Sequence, residues 1–205
     1  MLFYDSIGPN PKVVRMFMAE RGISGIPSET IDLRGGENRR EPFLSRNPSG
    51  TCPAPSLDNG MVLAEITAIC EYLDEVGPPG KTLIGKTPEE RAETRMWARR
   101  IDLHILEPMA NGFRYTDGLK MFENRIHCIP AAGADMKAIA QEGVTWMDGL
   151  IGGRTFICGE RLTLADILLF VFLDFFAGIK QPLNDANKNI VAWYGRMKAR
   201  PSAAA

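Results

Sequence analysis

Apolar positions change their spacing once along this chain, and the change divides it. In the first third they come as short runs broken by turn residues, such as Leu2-Phe3-Tyr4 and the stretch from Glu29 to Leu33. Runs of this kind predict strands. Between those two, Gly8-Pro9-Asn10-Pro11 interrupts the pattern. Asn is a favoured N-cap and Pro a favoured first helical residue, so a helix is expected to begin at Pro11. Val13, Val14, Phe17 and Met18 give it a buried face, and Gly22 marks its end. The β-α-β order implies a parallel strand pair. Further on, Asn59-Gly60 between short apolar runs predicts a β-hairpin, because such tight turns need positive φ. Ile66, Ile69, Cys70 and Leu73 then share one helical face, so the hairpin delivers a helix that opens at Glu65.

From Gly77 to Pro88 the chain is dense in Gly, Pro and Thr and reads as a linker. Everything beyond it has helical spacing. Thr87 and Pro88 open a long helix through Trp97, Ile101 and Leu106, with Pro108 as a kink or boundary. Asn111 to Gly118 is expected to be an irregular helix end, and Gly133 to Leu150 another amphipathic helix. Thr163 and Asp166 form an S/T-x-x-D capping box, with Leu162 and Ile167 as its hydrophobic staple. A last helix is expected over Ala192 to Arg200. The expected organisation is an α/β N-terminal domain over 1–77, a linker over 78–87 and an all-α C-terminal domain over 88–205.

Composition narrows the function classes. Among 205 residues, 45% are hydrophobic and 24% charged, ample for a folded core. With 24 basic and 25 acidic residues, the charge balance predicts neither nucleic acid nor an anionic membrane as the partner. Cys52, Cys70, Cys128 and Cys158 share no C-x-x-C spacing and only two histidines are present, so no metal site is expected. The start lacks a basic region followed by an apolar run, and Ile167 to Leu173 is too short to span a bilayer. The expected setting is reducing and cytoplasmic.

The chemistry gathers where the hairpin meets its helix. A helix N-terminus presents unpaired N–H groups and partial positive charge, which suits a carboxylate, while Glu65 can accept from an ammonium. Together they would grip the zwitterionic end of an amino acid; alone, an acidic residue there is more often a cap. The order N-P-x-G-x-x-P from Asn47 to Pro53, L-D-x-G from Leu57 to Gly60, and L-x-E-x-x-A-I-x-E-Y-L from Leu63 to Leu73 resembles the glutathione-binding half of the cytosolic glutathione transferases. The resemblance spans nearly the whole chain, including G-x-x-x-T-x-A-D from Gly159 to Asp166, and is nearest to the atypical bacterial and yeast-like branch. It implies a thioredoxin-like first domain, glutathione as co-substrate, a small hydrophobic electrophile as second substrate, a role in detoxification, and a homodimer built on the helix after Glu65 and the long helix after Pro88.

The resemblance also implies residue roles. Pro53 would be cis, with the Cys52 backbone pairing the cysteinyl part of glutathione. Glu65, Ile66 and Thr67 would take the γ-glutamyl end, and Asn38, Arg39 and Arg40 the glycyl carboxylate. Where related classes place a Tyr, Ser or Cys against the sulfur, this chain has Asn10 and Pro11, so Asn10 is the candidate donor. Ser6 and Tyr4 are its rivals, and a held water is another. Lowering a thiol from ~8.5 by about two units takes roughly 2.7 kcal/mol, within reach of a charge-assisted hydrogen bond plus a helix dipole. Two departures stand out: Ile66 replaces a small polar residue, and Pro55 replaces an aliphatic strand residue, which puts the local strand pairing in doubt. Met109, Phe113, Arg114 and Tyr115 are the expected lining for the electrophile, against the alternative of core and surface positions. A side-chain redox role for Cys52 is the minor reading, since buried thiols are commonly inert. A glutathione-binding or protein-interaction module without turnover remains the alternative to an enzyme.

Overall fold

The computed structural model describes residues 1–205, which form two units: Met1–Lys86 together with Pro201–Ala205, and Thr87–Arg200. All of the 78–87 segment read as a linker except Thr87 therefore belongs to the first unit, as do the last five residues.

The first unit is organised on a three-stranded sheet ordered β2-β1-β3, with β1 Leu2–Asp5, β2 Ser28–Thr30 and β3 Ala54–Ser56. β1 and β2 are parallel, as the β-α-β pattern requires, and β3 runs antiparallel to β1 with Phe3 opposite Pro55. Pro55 does not disturb that ladder. Its carbonyl accepts from Leu63 N–H at 3.0 Å on the side away from β1. The N–H and C=O of one strand residue face the same way, so the donor that proline lacks also lies on that outer side. The hairpin's second arm is reduced to a single bridge between Ser56 and Val62, closed by Leu57 N–H to Met61 O at 2.7 Å.

α1 spans Pro9–Arg21 and packs on α3, Ile66–Val76. It begins two residues before the expected Pro11, with Gly8 as the N-cap, so Asn10 is not a cap but the second helical residue. Proline at the first position already has the φ a helix needs, which lets Pro9 start the turn. A short helix α2, Phe43–Arg46, sets Phe43 edge-on to Tyr4 at 5.7 Å, and with Ile31, Cys52 and Ala54 they form one apolar cluster. At the other end of α1 the Arg21 guanidinium meets Asp74 at 2.7 Å, both side chains buried. Asp74 also holds Leu83 N–H at 2.9 Å, while Arg21 donates to Pro78 O at 3.1 Å. Lys81 donates to the Glu20 carboxylate at 3.0 Å, and Ser202 donates to the other oxygen of the same carboxylate. These bonds bind 78–86 and the tail to the first unit.

The second unit is helical: α4 Pro88–Ile101, α5 Glu107–Tyr115, α6 Leu119–Phe122, α7 Gly133–Ile151, α8 Leu164–Ala177 and α9 Lys188–Lys198. α4 and α5 are joined by a wide π turn, Asp102–Leu106, just before Pro108. Proline offers no N–H to the fourth carbonyl before it, that of His104, and a widened turn accommodates the loss. α7 approaches there closely: a Cβ on Gly143 would stand 2.2 Å from the His104 carbonyl oxygen, so only glycine fits. α8 is buried at every residue from Leu164 to Leu173 and is the core of this unit. Its start is the expected capping box. The fully buried Asp166 accepts from Thr163 N–H at 2.9 Å, Ile157 N–H at 2.9 Å and the Trp193 indole at 3.0 Å. In the loop after α8, Lys180 has φ of 67°, a left-handed conformation that costs a side-chain-bearing residue about 1–2 kcal/mol. No helix is long and apolar enough to cross a membrane.

Asp166→Ala would leave two backbone donors and the Trp193 indole buried without partners. At about 1–3 kcal/mol for each such group, we expect a loss of about 4 kcal/mol, with Asp166→Asn losing roughly half as much, read from the midpoint shift in urea unfolding.

Candidate active site

The loop leading to β3 is built by two buried amides. Asn38 Nδ2 donates to Gly50 O at 2.6 Å and Asn47 Nδ2 donates to Thr51 O at 2.8 Å. Gly50 closes the turn at φ 59°, and a Cβ there would lie 2.9 Å from the Asn38 carbonyl. Held in this way, the chain enters β3 through a cis Cys52–Pro53 peptide, with neither the Cys52 N–H nor its carbonyl taken by another backbone group. The Cys52 side chain turns into the apolar cluster. Burial, then the nearby Asp5 and Glu37 carboxylates, push its thiol up to about 11, so it stays protonated at neutral pH.

Beyond β3, Leu63 N–H bonded to Pro55 O ties the approach to α3 back to the sheet. Glu65 follows at φ 67° and ψ 115°, a conformation costing a non-glycine residue of order 1–3 kcal/mol. Its carboxylate caps nothing, and the first-turn N–H groups of Ile66, Thr67 and Ala68 have no partner in the chain. Glu65 and Thr67 are exposed and Ile66 half-buried. The capping role weighed for Glu65 is thus absent. What stands there is an acceptor for a cation next to an open helix N-terminus.

α1 opens differently. Pro9 and Pro11 carry no N–H and the Lys12 N–H reaches Gly8 O at 3.5 Å, so the Asn10 peptide is the only free donor of that turn. The half-buried Asn10 side chain adds an amide beside it. Its rivals are engaged elsewhere. Ser6 is buried and donates to Ile31 O at 2.6 Å, while the Tyr4 hydroxyl accepts from Arg46 at 3.0 Å within the core cluster.

The three candidates for a carboxylate separate by what they already hold. Asn38 is spent on Gly50, though its Oδ1 is buried without a partner. Arg40 folds back onto the Gly35 carbonyl at 2.8 Å. Arg39 is exposed and lies along Gly50, with donors available. Asn47 was not among the candidates read from the sequence; the Asn-Pro-Ser-Gly turn was its signal.

In the second unit, Phe113, Arg114 and Tyr115 are partly exposed near the end of α5, and Met109 is fully enclosed behind them. Phe113 packs edge-on against Phe122 and Phe176. Arg114 donates to Asn111 Oδ1 at 3.1 Å and stands over the Phe122 ring. Just past the helix, the hydrogen bond from Lys137 holds the Asp117 carboxyl down to about 2, with Lys180 adding to it.

A thioredoxin-like β-α-β unit with an antiparallel third strand after a cis-proline, followed by a helical unit, defines the two-domain architecture of glutathione-dependent transferases. Family models agree: the glutathione S-transferase N-terminal domain matches residues 7–76 and the C-terminal domain residues 130–196. Glutathione S-transferase 2 of Saccharomyces cerevisiae is 35% identical over 98% of this chain and 87% of its own length. The crystal structure of Gtt2 from that yeast superposes with a TM-score of 0.91 at 34% identity, covering 100% of this chain and 99% of the other. A glutathione S-transferase domain-containing protein of Marinobacter aquaeolei superposes with a TM-score of 0.92 at 33% identity, covering 98% and 99%. The chain belongs to the glutathione S-transferase family.

With its thiol protonated and enclosed, Cys52 should resist alkylation at neutral pH and gain reactivity only as pH approaches about 11, whereas the half-exposed Cys128 is modified first. Peptide mass mapping across a pH series checks this.

Proposed function

We propose that this protein is a glutathione transferase that binds glutathione along the first unit and conjugates its thiolate to a small hydrophobic electrophile. The observation that carries the reading is Glu65: a strained residue whose carboxylate is free, at the head of an uncapped helix tied to the strand that follows the cis-proline. The γ-glutamyl end offers an ammonium and a carboxylate on one carbon, matching the Glu65 carboxylate and the N–H groups of Ile66 and Thr67. The Cys52 backbone takes the cysteinyl peptide, and Arg39 the glycyl carboxylate.

Asn10 faces the sulfur in this reading. Its peptide N–H and side-chain amide stabilise the thiolate at the positive end of α1, and the proton leaves to solvent. The thiolate then attacks the electrophilic carbon, forming a C–S bond as the leaving group departs with its electron pair, or attacks the terminal peroxide oxygen, breaking the O–O bond so that the alkoxide leaves and takes a proton from solvent. The glutathione sulfenic acid formed in the second case is reduced by a second glutathione to the disulfide and water. Phe113, Arg114 and Tyr115 carry the electrophile, with Met109 backing them. A cytoplasmic homodimer is the working form in this reading, and sedimentation tests it. Ser6 is the second choice for the sulfur donor, and its bond to Ile31 O would have to break first.

Calorimetry of glutathione binding near pH 7, in two buffers of different ionisation heat, reads affinity and proton release together. Release of close to one proton is the expected result; binding without release supports a recognition module instead, and no binding at millimolar ligand overturns the site. Asn10→Ala should keep the affinity within about threefold but cut proton release at pH 7 and lower kcat by about tenfold or more. Glu65→Gln should weaken glutathione by about 1.5–3 kcal/mol, the range for a hydrogen bond to a charged group, and an unchanged Kd would remove Glu65 from the site.

A further inference from the structure

Two local costs in the second unit point at the same helix. Lys180 holds a left-handed φ of 67° without being glycine, and the residue it delivers is Gln181, 5% exposed. Gln181 anchors its own backbone to Phe176 O at 3.0 Å and sends its side chain onto α5, where Nε2 donates to the Met109 carbonyl at 3.1 Å. Its Oε1 is buried with no partner. A glutamine that makes one hydrogen bond and strands one acceptor gains the fold little, because the unmade bond offsets the made one. The left-handed Lys180 is what the end of α8 requires, closed by the Gln181 N–H bond back to Phe176 O, so the cost that brings the fold nothing is the orphaned Gln181 acceptor, and such a cost persists where position matters more than stability.

Gln181 holds α5 itself, and Lys180 adds a weak, exposed tether just past the other end of that helix. Gln181 fixes the carbonyl of Met109, ahead of Phe113. Lys180 reaches Asp117 Oδ1 at 3.4 Å, beyond Tyr115, where Lys137 of α7 meets the other oxygen at 2.5 Å. Between these ends the Phe113 ring rests on Phe176, one turn before the strained loop, and the Phe113 carbonyl accepts from Gly118 N–H at 2.8 Å. The dipeptide therefore brackets the segment that carries Phe113, Arg114 and Tyr115.

We propose that Lys180 and Gln181 are positioning residues that set the α5 wall and so select the shape of the electrophile. This rests on the transferase reading given above, with α5 as the electrophile-carrying face. Neither residue touches substrate in this role; Gln181 acts through the Met109 carbonyl and Lys180 through Asp117.

The test compares Gln181→Met, which keeps length and loses the donor, Lys180→Gly, which relieves the backbone and removes the ammonium from Asp117, and the parent chain. Chlorodinitrobenzene and cumene hydroperoxide serve as electrophiles of different shape. In Gln181→Met the KM for at least one electrophile should rise by about fivefold or more, the ratio of kcat/KM between the two should change, and the KM for glutathione should stay within about twofold. The melting temperature should hold or rise in both variants. Unchanged electrophile constants in both variants overturn the proposal, as does a parallel rise of both KM values with a falling melting temperature, which marks a merely structural role. Hydrogen exchange of residues 107–116 separates the two levels of the argument. If the parent turns over neither electrophile, the transferase reading fails; selective loss of protection in that segment in Gln181→Met still supports the positioning, and unchanged protection overturns it.

Discussion

A buried backbone or side-chain polar group must find a partner, and the structure is arranged by where that demand is met and where it is left open. Asp166 meets it in the second unit by accepting from two peptides and an indole, which lets α8 run through the core enclosed on every side. Asn38 and Asn47 meet it in the first unit by taking the carbonyls of Gly50 and Thr51. Among the backbone groups of the first unit, those left open include the Cys52 peptide, the first turn of α3 and the single remaining donor of α1 at Asn10. A tripeptide with a zwitterionic end, two amides and a thiol has groups for each. The protein thus spends its hydrogen-bonding capacity on shaping a loop and leaves unspent what that loop displays.

Much of this was legible in the residues, and the failures have physical reasons. Thr163 and Asp166 read as a capping box and are one, because both halves of that bond are local in sequence. The parallel pairing of β1 with β2 followed from β-α-β spacing, whereas the place of β3 on the other edge of β1 rests on contacts between distant residues that no local spacing announces. The start of α1 was misplaced by two residues because two prolines compete there and the left-handed Gly8, invisible as a conformation in the sequence, decides for Pro9. The hairpin's second arm shrank to one bridge because Pro55 offers no donor on that side. For the candidate site, the order of residues named Pro53, which follows a cis peptide, and Glu65, which stands at the head of α3, but not that Glu65 is strained and caps nothing. It named Asn38, Arg39 and Arg40 together, and only coordinates separate the amide that builds the loop from the guanidinium left free.

The first unit takes its residues from both ends of the sequence, and one carboxylate joins them. Glu20, whose side chain is 7% exposed, receives Lys81 from the segment where the chain leaves and Ser202 from the segment where it returns. A single cut after Lys86 would therefore not release a whole thioredoxin-like fragment; it would uncover the end of α1 and take Ser202 away from the Glu20 carboxylate. Exchange of this unit between relatives by recombination would need two crossovers, and a gene fusion that displaced 201–205 would alter the thioredoxin-like unit while leaving its contiguous sequence untouched.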